Sequence, residues 1–419
     1  MPLSLTDMML VLTMWRTRFI RETYSDEIKE CFAMDQRTIQ ILFALLRSAI
    51  RGTKLTESEQ NSYSADMLQD LLKISVKHDV VHLLVLGLKQ NELIPKEHDD
   101  IEKYILKAVY RYERIRYEYD NLCSALEKAQ IPFLPLKGSV IRKYYPEAWM
   151  RTSCDIDVLV HERDSEKAKS VLVDGYGYVY HGKGSHDISL FAPTNTHIEL
   201  HYDLVEDGIA NESSEVLKNV WDMAVIRDGY AFLHEMLDEY YYFYHIAHMA
   251  KHFENGGCGI RPFIDILILD NVQDADIEKR DKLLQQGNLL KFANVARKLS
   301  RIWFSNEPYD YISQQMEDYI LRGGVYGNNE NRITVQQQKK GGRIKYALSK
   351  IFIPYDVIKF HYPILQKHKW LSPFMEVRRW FKLIFCGHAK RTINELKYNQ
   401  TISADKADVT KNFLENIGL

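Results

Sequence analysis

Three carboxylates lie in two short stretches in which apolar and polar residues alternate. Asp155 and Asp157 belong to the stretch 154–160, and Glu199 belongs to the stretch 197–201. Successive side chains of a strand point to opposite faces, so both aspartates project to one side and the apolar residues to the other. Close carboxylates repel one another unless a divalent cation lies among them, and oxygen ligands favour Mg²⁺ or Mn²⁺. The pattern predicts a metal site formed by Asp155, Asp157 and Glu199.

A short apolar run and a Gly-Ser turn precede the aspartates. Residues 131–136 predict a buried strand, and the turn at Gly138 and Ser139 predicts a helix that ends near residue 145. Glycine lets a phosphate approach the backbone, and the free amides of a helix N-terminus, with the Ser139 hydroxyl, can bind it. Lys137 and Arg151 are either further phosphate contacts or ordinary surface charges.

The carboxylates also have simpler interpretations. An Asp-x-Asp pair can cap a loop or lie at a solvated strand edge. His197, Glu199 and His201 share a strand face and offer the imidazole and carboxylate groups of a zinc site. Alternate residues of a strand are about 7 Å apart, which makes three ligands from one strand awkward.

The order of these segments resembles the DNA polymerase beta-like nucleotidyltransferase superfamily. Within it, the chain resembles a bacterial family of uncharacterised nucleotidyltransferases, on the segments Leu136–Gly138, Tyr144–Pro146, Arg151, Asp155–Asp157, Glu199–His201 and Gly257–Asp265. The resemblance covers roughly residues 35–390. Fifteen residues separate Ser139 from Asp155, more than the superfamily pattern allows but suited to this family. We therefore expect a longer loop there, which carries Arg151.

The resemblance implies an α+β fold, with a small mixed β-sheet nucleotidyltransferase palm core flanked by N-terminal and C-terminal helical regions. It implies Mg²⁺-dependent transfer of an NMP from an NTP such as ATP to a hydroxyl or other nucleophile, with release of pyrophosphate. Asp155, Asp157 and Glu199 would be catalytic. The predicted nucleotide contacts are Lys137, Gly138, Ser139, Arg151 and Arg261. Small-molecule, peptide, protein and tRNA acceptors occur across related folds, so the acceptor stays open.

A predicted helix at 237–253 carries three histidines on one face, His245, His248 and His252. We expect them to be hydrogen-bonded packing residues that line the cleft, with metal binding as the alternative. A glycine-rich turn follows and leads to Arg261. In the family resemblance this segment faces the nucleotide, so Arg261 is a candidate for a triphosphate contact; otherwise it would pair with Asp265, one helical turn later.

Periodicity and breaks divide the chain into four predicted regions. They are an N-terminal helical region (1–130), the palm core (131–210), a helical domain that closes the nucleotide cleft (211–335) and a basic C-terminal helical region (336–419). No internal repeat of fixed period is present.

Composition agrees with a folded protein in a reducing compartment. Of 419 residues 46% are hydrophobic, and the five cysteines show no C-x-x-C spacing. The N-terminus lacks the basic stretch of a signal peptide, and no apolar stretch reaches membrane-spanning length. We therefore expect a cytoplasmic protein, with at most peripheral membrane contact.

Positive charge is concentrated in residues 339–391, where thirteen Lys and Arg stand against two acidic residues, although the whole chain carries −2. Such a region suits RNA, an anionic small substrate or a membrane surface. Interspersed aromatic residues would stack on bases or insert among headgroups. The favoured interpretation is that these aromatics form the core of their own region.

Two other classes of function stay open. The chain could be a noncatalytic nucleotide-binding regulator, which would predict an incomplete carboxylate cluster. It could instead be a helical protein that binds RNA or another partner through its basic C-terminal region, which would predict salt-sensitive binding that survives loss of Asp155.

Overall fold

A computed structural model describes residues 35–205, 211–272, 275–385, 389–402 and 404–419. Residues 1–34 of the predicted N-terminal region and residues 206–210 of the predicted palm core lie outside this part of the chain.

Five α-helices precede the first strand in the described residues: α1 Gln36–Arg51, α2 Glu57–Ser62, α3 Leu68–Lys77, α4 Val81–Gln90 and α5 Lys103–Lys128. The apolar residues of α1 recur at helical spacing and are buried. Helices α1 and α4 cross closely, because Gly87 has no side chain at the contact. A Cβ there would lie 2.3 Å from the carbonyl oxygen of Leu45.

A five-stranded mixed sheet follows, with strands β1 Phe133–Pro135, β2 Asp155–Val160, β3 Val179–Lys183, β4 Asp187–Phe191 and β5 His197–His201. The spatial order is β1-β2-β5-β4-β3, and only the β2–β5 pair of this sheet is parallel. The short helix α6 (Gly138–Ile141) follows β1, and α7 (Glu162–Ser170) follows β2. The predicted α+β class with a mixed sheet flanked by helices is confirmed.

One face of the sheet is apolar. The even-numbered residues of β2, from Ile156 to Val160, are fully buried and pack in one cluster with Leu122 and Leu126 of α5 and Ala168 of α7. The odd-numbered Asp155 and Asp157 lie on the other face, as the alternation predicts.

Residues 211–335 were predicted to be helical, but they also contain a second sheet, which has two strands. Strands β6 (Ala224–Ile226) and β7 (His234–Met236) pair, and the segment before β7 is tied to β1 by a hydrogen bond from the Phe133 amide to the Phe232 carbonyl, at 3.0 Å. Strands of three residues are too short to show alternation. The helices of this part are α8 Glu212–Leu217, α9 Asp238–Phe253, α10 Arg261–Asp270, α11 Ile277–Gln286, α12 Leu290–Ser305 and α13 Tyr311–Leu321.

The C-terminal region is helical, as predicted, with α14 Asn329–Lys340, α15 Arg343–Ile351, α16 Tyr355–His361, α17 Ile364–Lys367, α18 Ser372–Phe385, α19 Ala389–Thr401 and α20 Ala404–Ile417. Among the described residues, its aromatics do not form the expected core. Trp370 is 69% exposed and Phe374 is 63% exposed, whereas the separate buried cluster found there joins Tyr346 and Ile402 to Ile333 of the preceding region. The expectation of an aromatic core here is wrong.

The largest core joins helices from both ends of the described chain. Phe43 of α1 stacks on Trp303 of α12, with ring centroids 4.2 Å apart, and Phe413 of α20 belongs to the same cluster. The predicted N-terminal and third regions thus share one core; the four-part division stays a prediction. None of the described helices combines the length and the apolar character needed to cross a bilayer.

Candidate active site

The parallel pairing of β2 with β5 brings two carboxylates together. Asp157 lies directly opposite Glu199, and Asp155 lies opposite His197. Because both strands have the same pleat, all these side chains point to the face of the sheet opposite the apolar one. Asp157 is buried, whereas Glu199 is partly exposed and open to a reactant from solvent. The structure therefore places Glu199 beside the aspartates on a neighbouring strand, the arrangement expected from the sequence.

Lys137 lies between these carboxylates. Its Nζ is 2.8 Å from Asp157 Oδ1 and 3.9 Å from Glu199 Oε2. The lysine backbone has φ 47° and ψ −124°, a conformation that residues with a side chain rarely adopt. The hydroxyl of Tyr241 in α9 donates to the Lys137 carbonyl at 2.9 Å and fixes this turn. The ammonium group is thus held where a metal ion is predicted to bind.

His201 completes the cluster. Its Nε2 lies 3.0 Å from Asp157 Oδ1 and 3.4 Å from Glu199 Oε2. One ligand atom each from Asp157, Glu199 and His201 lies within 4.8 Å of the others, close enough to share one metal ion. The zinc alternative grouped His201 with His197 and Glu199. His197 Nδ1 lies 3.8 Å from Glu199 Oε1 and its Nε2 lies 2.8 Å from Ser189 Oγ, so its ring lies beside Glu199. The ligand atoms that lie close enough to share an ion are those of Asp157, Glu199 and His201.

The charges in the cluster shift one another's pKa values. Burial and the neighbouring Asp157 raise the pKa of Asp155. Burial also acts to raise the pKa of Asp157, but Lys137 and His201 outweigh it and hold that pKa well below its usual range. Burial acts to lower the pKa of Lys137 and of His201, and the carboxylates outweigh it and raise both. Among the described residues, Asp155 is the carboxylate of this site that lacks a cationic partner at ion-pairing distance.

The Gly138-Ser139 turn lies directly after Lys137 and is held by Arg142, which was not among the residues predicted from the sequence. Arg142 donates from Nε to the Gly138 carbonyl at 2.7 Å and from Nη2 to Ser153 Oγ at 2.8 Å. Burial and the charge of Arg151 lower the pKa of Arg142 to about 10. In the part of the chain that is described, Arg142 contacts no carboxylate. Its position one helical turn after Gly138 is the signal that could have identified it.

Arg151 is committed to another partner. Its Nε and Nη2 donate to the two oxygens of Asp265 at 2.7 and 2.8 Å, and the Tyr145 hydroxyl donates to the same carboxylate at 2.7 Å. Asp265 is fully buried. The alternative pairing of Arg261 with Asp265 is therefore wrong, because Arg151 occupies that carboxylate.

Arg261 instead binds Asp79, two residues after the end of α3. Its Nη1 lies 2.7 Å from Asp79 Oδ2 and donates to the Thr152 carbonyl at 2.9 Å. Arg111 shares Asp79 from the other side at 2.9 Å. The Arg261 Nε is buried and has no hydrogen-bond partner within the described residues. The segment that leads into Asp155 is thus anchored to α3, α5 and α10 together.

The histidines of α9 pack above the cluster. The Nε2 atoms of His248 and His252 lie 3.3 Å apart, and His245 Nε2 lies 3.2 Å from the Pro262 carbonyl. Burial, followed by the charge of Lys137, lowers the pKa of His248 well below its usual value and that of His252 to about 4. Neutral histidines at this position agree with their predicted role as packing residues that line the cleft.

A family model described as "uncharacterised nucleotidyltransferase" matches residues 64–305, more than half of the 419-residue chain. The chain belongs to this family. The match is shorter than the expected 35–390, since it ends with α12 and leaves the basic C-terminal helices outside the family region. No curated protein matches the chain, and no solved structure does. Family membership indicates a transferase and implies an NTP substrate, without a specific activity.

Proposed function

We propose that this family member is a metal-dependent nucleotidyltransferase of the DNA polymerase beta-like type, which moves an NMP from an NTP to an acceptor hydroxyl or other nucleophile. The observation that carries the proposal is the β2–β5 register, which sets Asp157 opposite Glu199. The alternation along β2 adds Asp155 on the same face.

The donor set suits a divalent cation. Asp157 and Glu199 offer carboxylate oxygens and His201 offers an imidazole nitrogen within 4.8 Å of one another. Carboxylates favour Mg²⁺ or Mn²⁺, and an imidazole nitrogen is compatible with Mn²⁺. A bound cation would neutralise phosphate charge and lower the pKa of the attacking hydroxyl. Asp155, which has no ionic partner at contact distance among the described residues, is the further carboxylate available to such a cation.

Lys137 would neutralise the site before the cation and NTP arrive. Its ammonium lies 2.8 Å from Asp157 Oδ1 and 3.9 Å from Glu199 Oε2, so its positive charge reduces the repulsion among the carboxylates in the free protein. A lysine side chain has a flexible four-carbon stem, so the same ammonium can turn towards the triphosphate once a metal replaces it. This exchange accounts for the predicted nucleotide contact of Lys137.

The turn at Gly138 and Ser139 would bind the phosphates with backbone amides and the Ser139 hydroxyl, as predicted. Arg142 is a further phosphate contact in this proposal, because its guanidinium lies against the turn and has no carboxylate within the described residues. Arg151 and Arg261 stay predicted nucleotide contacts. Each would have to share a carboxylate partner with the nucleotide, so we assign them first to positioning the segment before Asp155.

The reaction forms a bond between the acceptor oxygen and the α-phosphorus. It breaks the bond between the α-phosphorus and the oxygen that bridges the α- and β-phosphates. Pyrophosphate leaves with the bonding electrons, and Lys137, Ser139 and Arg142 stabilise its charge. Glu199 is a partly exposed carboxylate on the strand next to the aspartates, and it would receive the acceptor's proton.

The test is transfer of label from NTPs to fractions of a cell extract, with Mg²⁺ or Mn²⁺. Label in the α-phosphate should enter an acceptor and label in the γ-phosphate should leave in pyrophosphate. Asp155→Asn should abolish the transfer, whereas Asp174→Asn, at an exposed position away from the cluster, should not. Transfer of the γ-label would show a kinase instead, and undiminished transfer by Asp155→Asn would refute the site.

A further inference from the structure

Two of the basic C-terminal helices, α15 and α18, each expose apolar side chains on one face. In α15, Tyr346 is buried, and the opposite face carries Ile344, Leu348 and Ile351, which are 76%, 49% and 38% exposed. Their spacing of four and three residues forms a continuous stripe. A helix on a protein surface normally buries such a stripe against the core. In α15 the stripe faces solvent instead.

Helix α18 has the same arrangement. Its inner side is tied to the end of α15, since Trp380 Nε1 donates to the Ile351 carbonyl at 2.8 Å and Glu376 accepts from the Ile353 amide at 2.8 Å. Phe374 and Val377 lie on the other side and are 63% and 45% exposed. Helix α18 is therefore attached to the end of α15 by these hydrogen bonds and by the Phe352 ring, whose centroid lies 5.2 Å from that of Trp380, while Phe374 and Val377 face outward.

Positive charge surrounds these two faces. Lys345 lies beside the stripe of α15, Lys382 beside that of α18, and both are exposed. Residues 339–391 contain thirteen Lys and Arg and two acidic residues. Exposed Trp370 adds an amphipathic indole in the turn before α18, with its ring centroid 6.5 Å from that of Phe374.

We propose that residues 343–382 form a surface that binds anionic phospholipid membranes, with the apolar faces of α15 and α18 inserted among the headgroups. Lysines attract the negatively charged surface, and apolar side chains bury area in the acyl boundary. Nucleic acid would also attract the lysines, but Ile344, Leu348 and Val377 have no ring to stack on bases. These aliphatic side chains therefore favour a lipid membrane over nucleic acid as the partner. This proposal is independent of the transfer reaction.

The test is sedimentation of the full-length protein with vesicles of phosphatidylcholine, alone or mixed with phosphatidylglycerol. We expect binding to the anionic vesicles only, weakened in high salt because screening reduces the attraction. Phe374→Ser and Leu348→Ser should each lower the partition coefficient about tenfold, since each removes a large apolar side chain from the inserted face. Lys345→Gln and Lys382→Gln should each lower it by a factor of about five.

Leu106→Ser is the matched control, because Leu106 is 70% exposed on α5, outside the basic region, and its loss should leave binding unchanged. Far-ultraviolet circular dichroism should be the same for all variants. Equal binding to neutral and anionic vesicles, or wild-type binding by both serine variants, would overturn the proposal. So would tRNA binding that the serine variants retain, in the absence of vesicle binding. A dimer that Phe374→Ser dissociates, again without vesicle binding, would assign the face to a second copy of the chain.

Discussion

Asp155 and Asp157 are two residues apart on one strand, and we predict that their replacement by asparagine has different effects on metal-free stability. Repulsion among carboxylates alone would predict that both substitutions relieve strain. The structure separates them, because Asp157 contacts Lys137 Nζ at 2.8 Å and His201 Nε2 at 3.0 Å, whereas Asp155 is not paired among the described residues. Asp157→Asn removes the nearest anionic partner of Lys137 and of His201 and leaves them only Glu199, whose Oε2 lies 3.9 Å from Lys137 Nζ and 3.4 Å from His201 Nε2.

Breaking a buried ion pair costs about 3 to 5 kcal/mol. Lys137 keeps about a quarter of its side chain in water, so we expect about 3 kcal/mol for Asp157→Asn, at the low end of that range. For Asp155→Asn we expect a change within about 1 kcal/mol, in the stabilising direction, since the raised pKa of Asp155 reports a carboxylate that burial and Asp157 disfavour. Urea denaturation in EDTA at neutral pH measures both.

The cost of Asp157→Asn should also depend on pH. The raised pKa of His201 means that protonated His201 stabilises the fold fully below pH 6.5, and that this contribution is lost as pH rises through the folded-state pKa. The lowered pKa of Asp157 gives a contribution that is present above its unfolded value, about 3.9, and is lost in strong acid. The penalty should therefore be larger at pH 6 than at pH 9. Equal destabilisation by the two variants, or a penalty that grows with pH, would refute this account of the cluster.

Three further outcomes follow from the same contacts. Lys137→Met should tighten the binding of Mn²⁺ alone, because the ammonium competes with the metal, and should weaken the binding of the Mn²⁺–NTP complex about tenfold, because the ammonium then binds phosphate. Calorimetry measures both affinities. Lys143→Met, at a nearby exposed position, should change neither. Glu199→Gln should slow single-turnover transfer about a hundredfold or more while NTP affinity changes little, and a matching loss of affinity would remove it from the acceptor side. Arg151→Met should cost about 3 to 5 kcal/mol in urea denaturation, and adding Asp265→Leu should restore most of it; additive losses would contradict a dedicated pair.

The face of the sheet that carries the site could be predicted because a strand has a period of two. Once Ile156 and Val158 are buried, Asp155 and Asp157 have only the other face available. The pairing of β2 with β5 was less certain from sequence, because the intervening hairpin of β3 and β4 had to lie on the outer side of β5. That order is visible only in the folded sheet.

The partners of the charged groups could not be predicted, because they come from distant parts of the chain. The position of the Lys137 ammonium depends on a left-handed backbone and on the hydroxyl of Tyr241 in another helix. Nothing local decides whether Arg151 or Arg261 pairs with Asp265. In the C-terminal region, the spacing of Phe374 and Val377 indicates an apolar face, but spacing contains no information on whether another element covers that face.

Helices α1 and α12 bury one another although the whole sheet lies between them in the sequence. Phe43, Trp303 and Phe413 belong to one buried core. During synthesis this core cannot form completely until the segment that carries Phe413 has been made. Contacts between such distant segments form slowly, because the chain between them must first be ordered. Until then the nascent chain exposes an apolar helix to other chains, which favours aggregation. The yield of folded protein should therefore respond to slower translation, lower temperature and holdase chaperones more strongly than to changes on the finished surface.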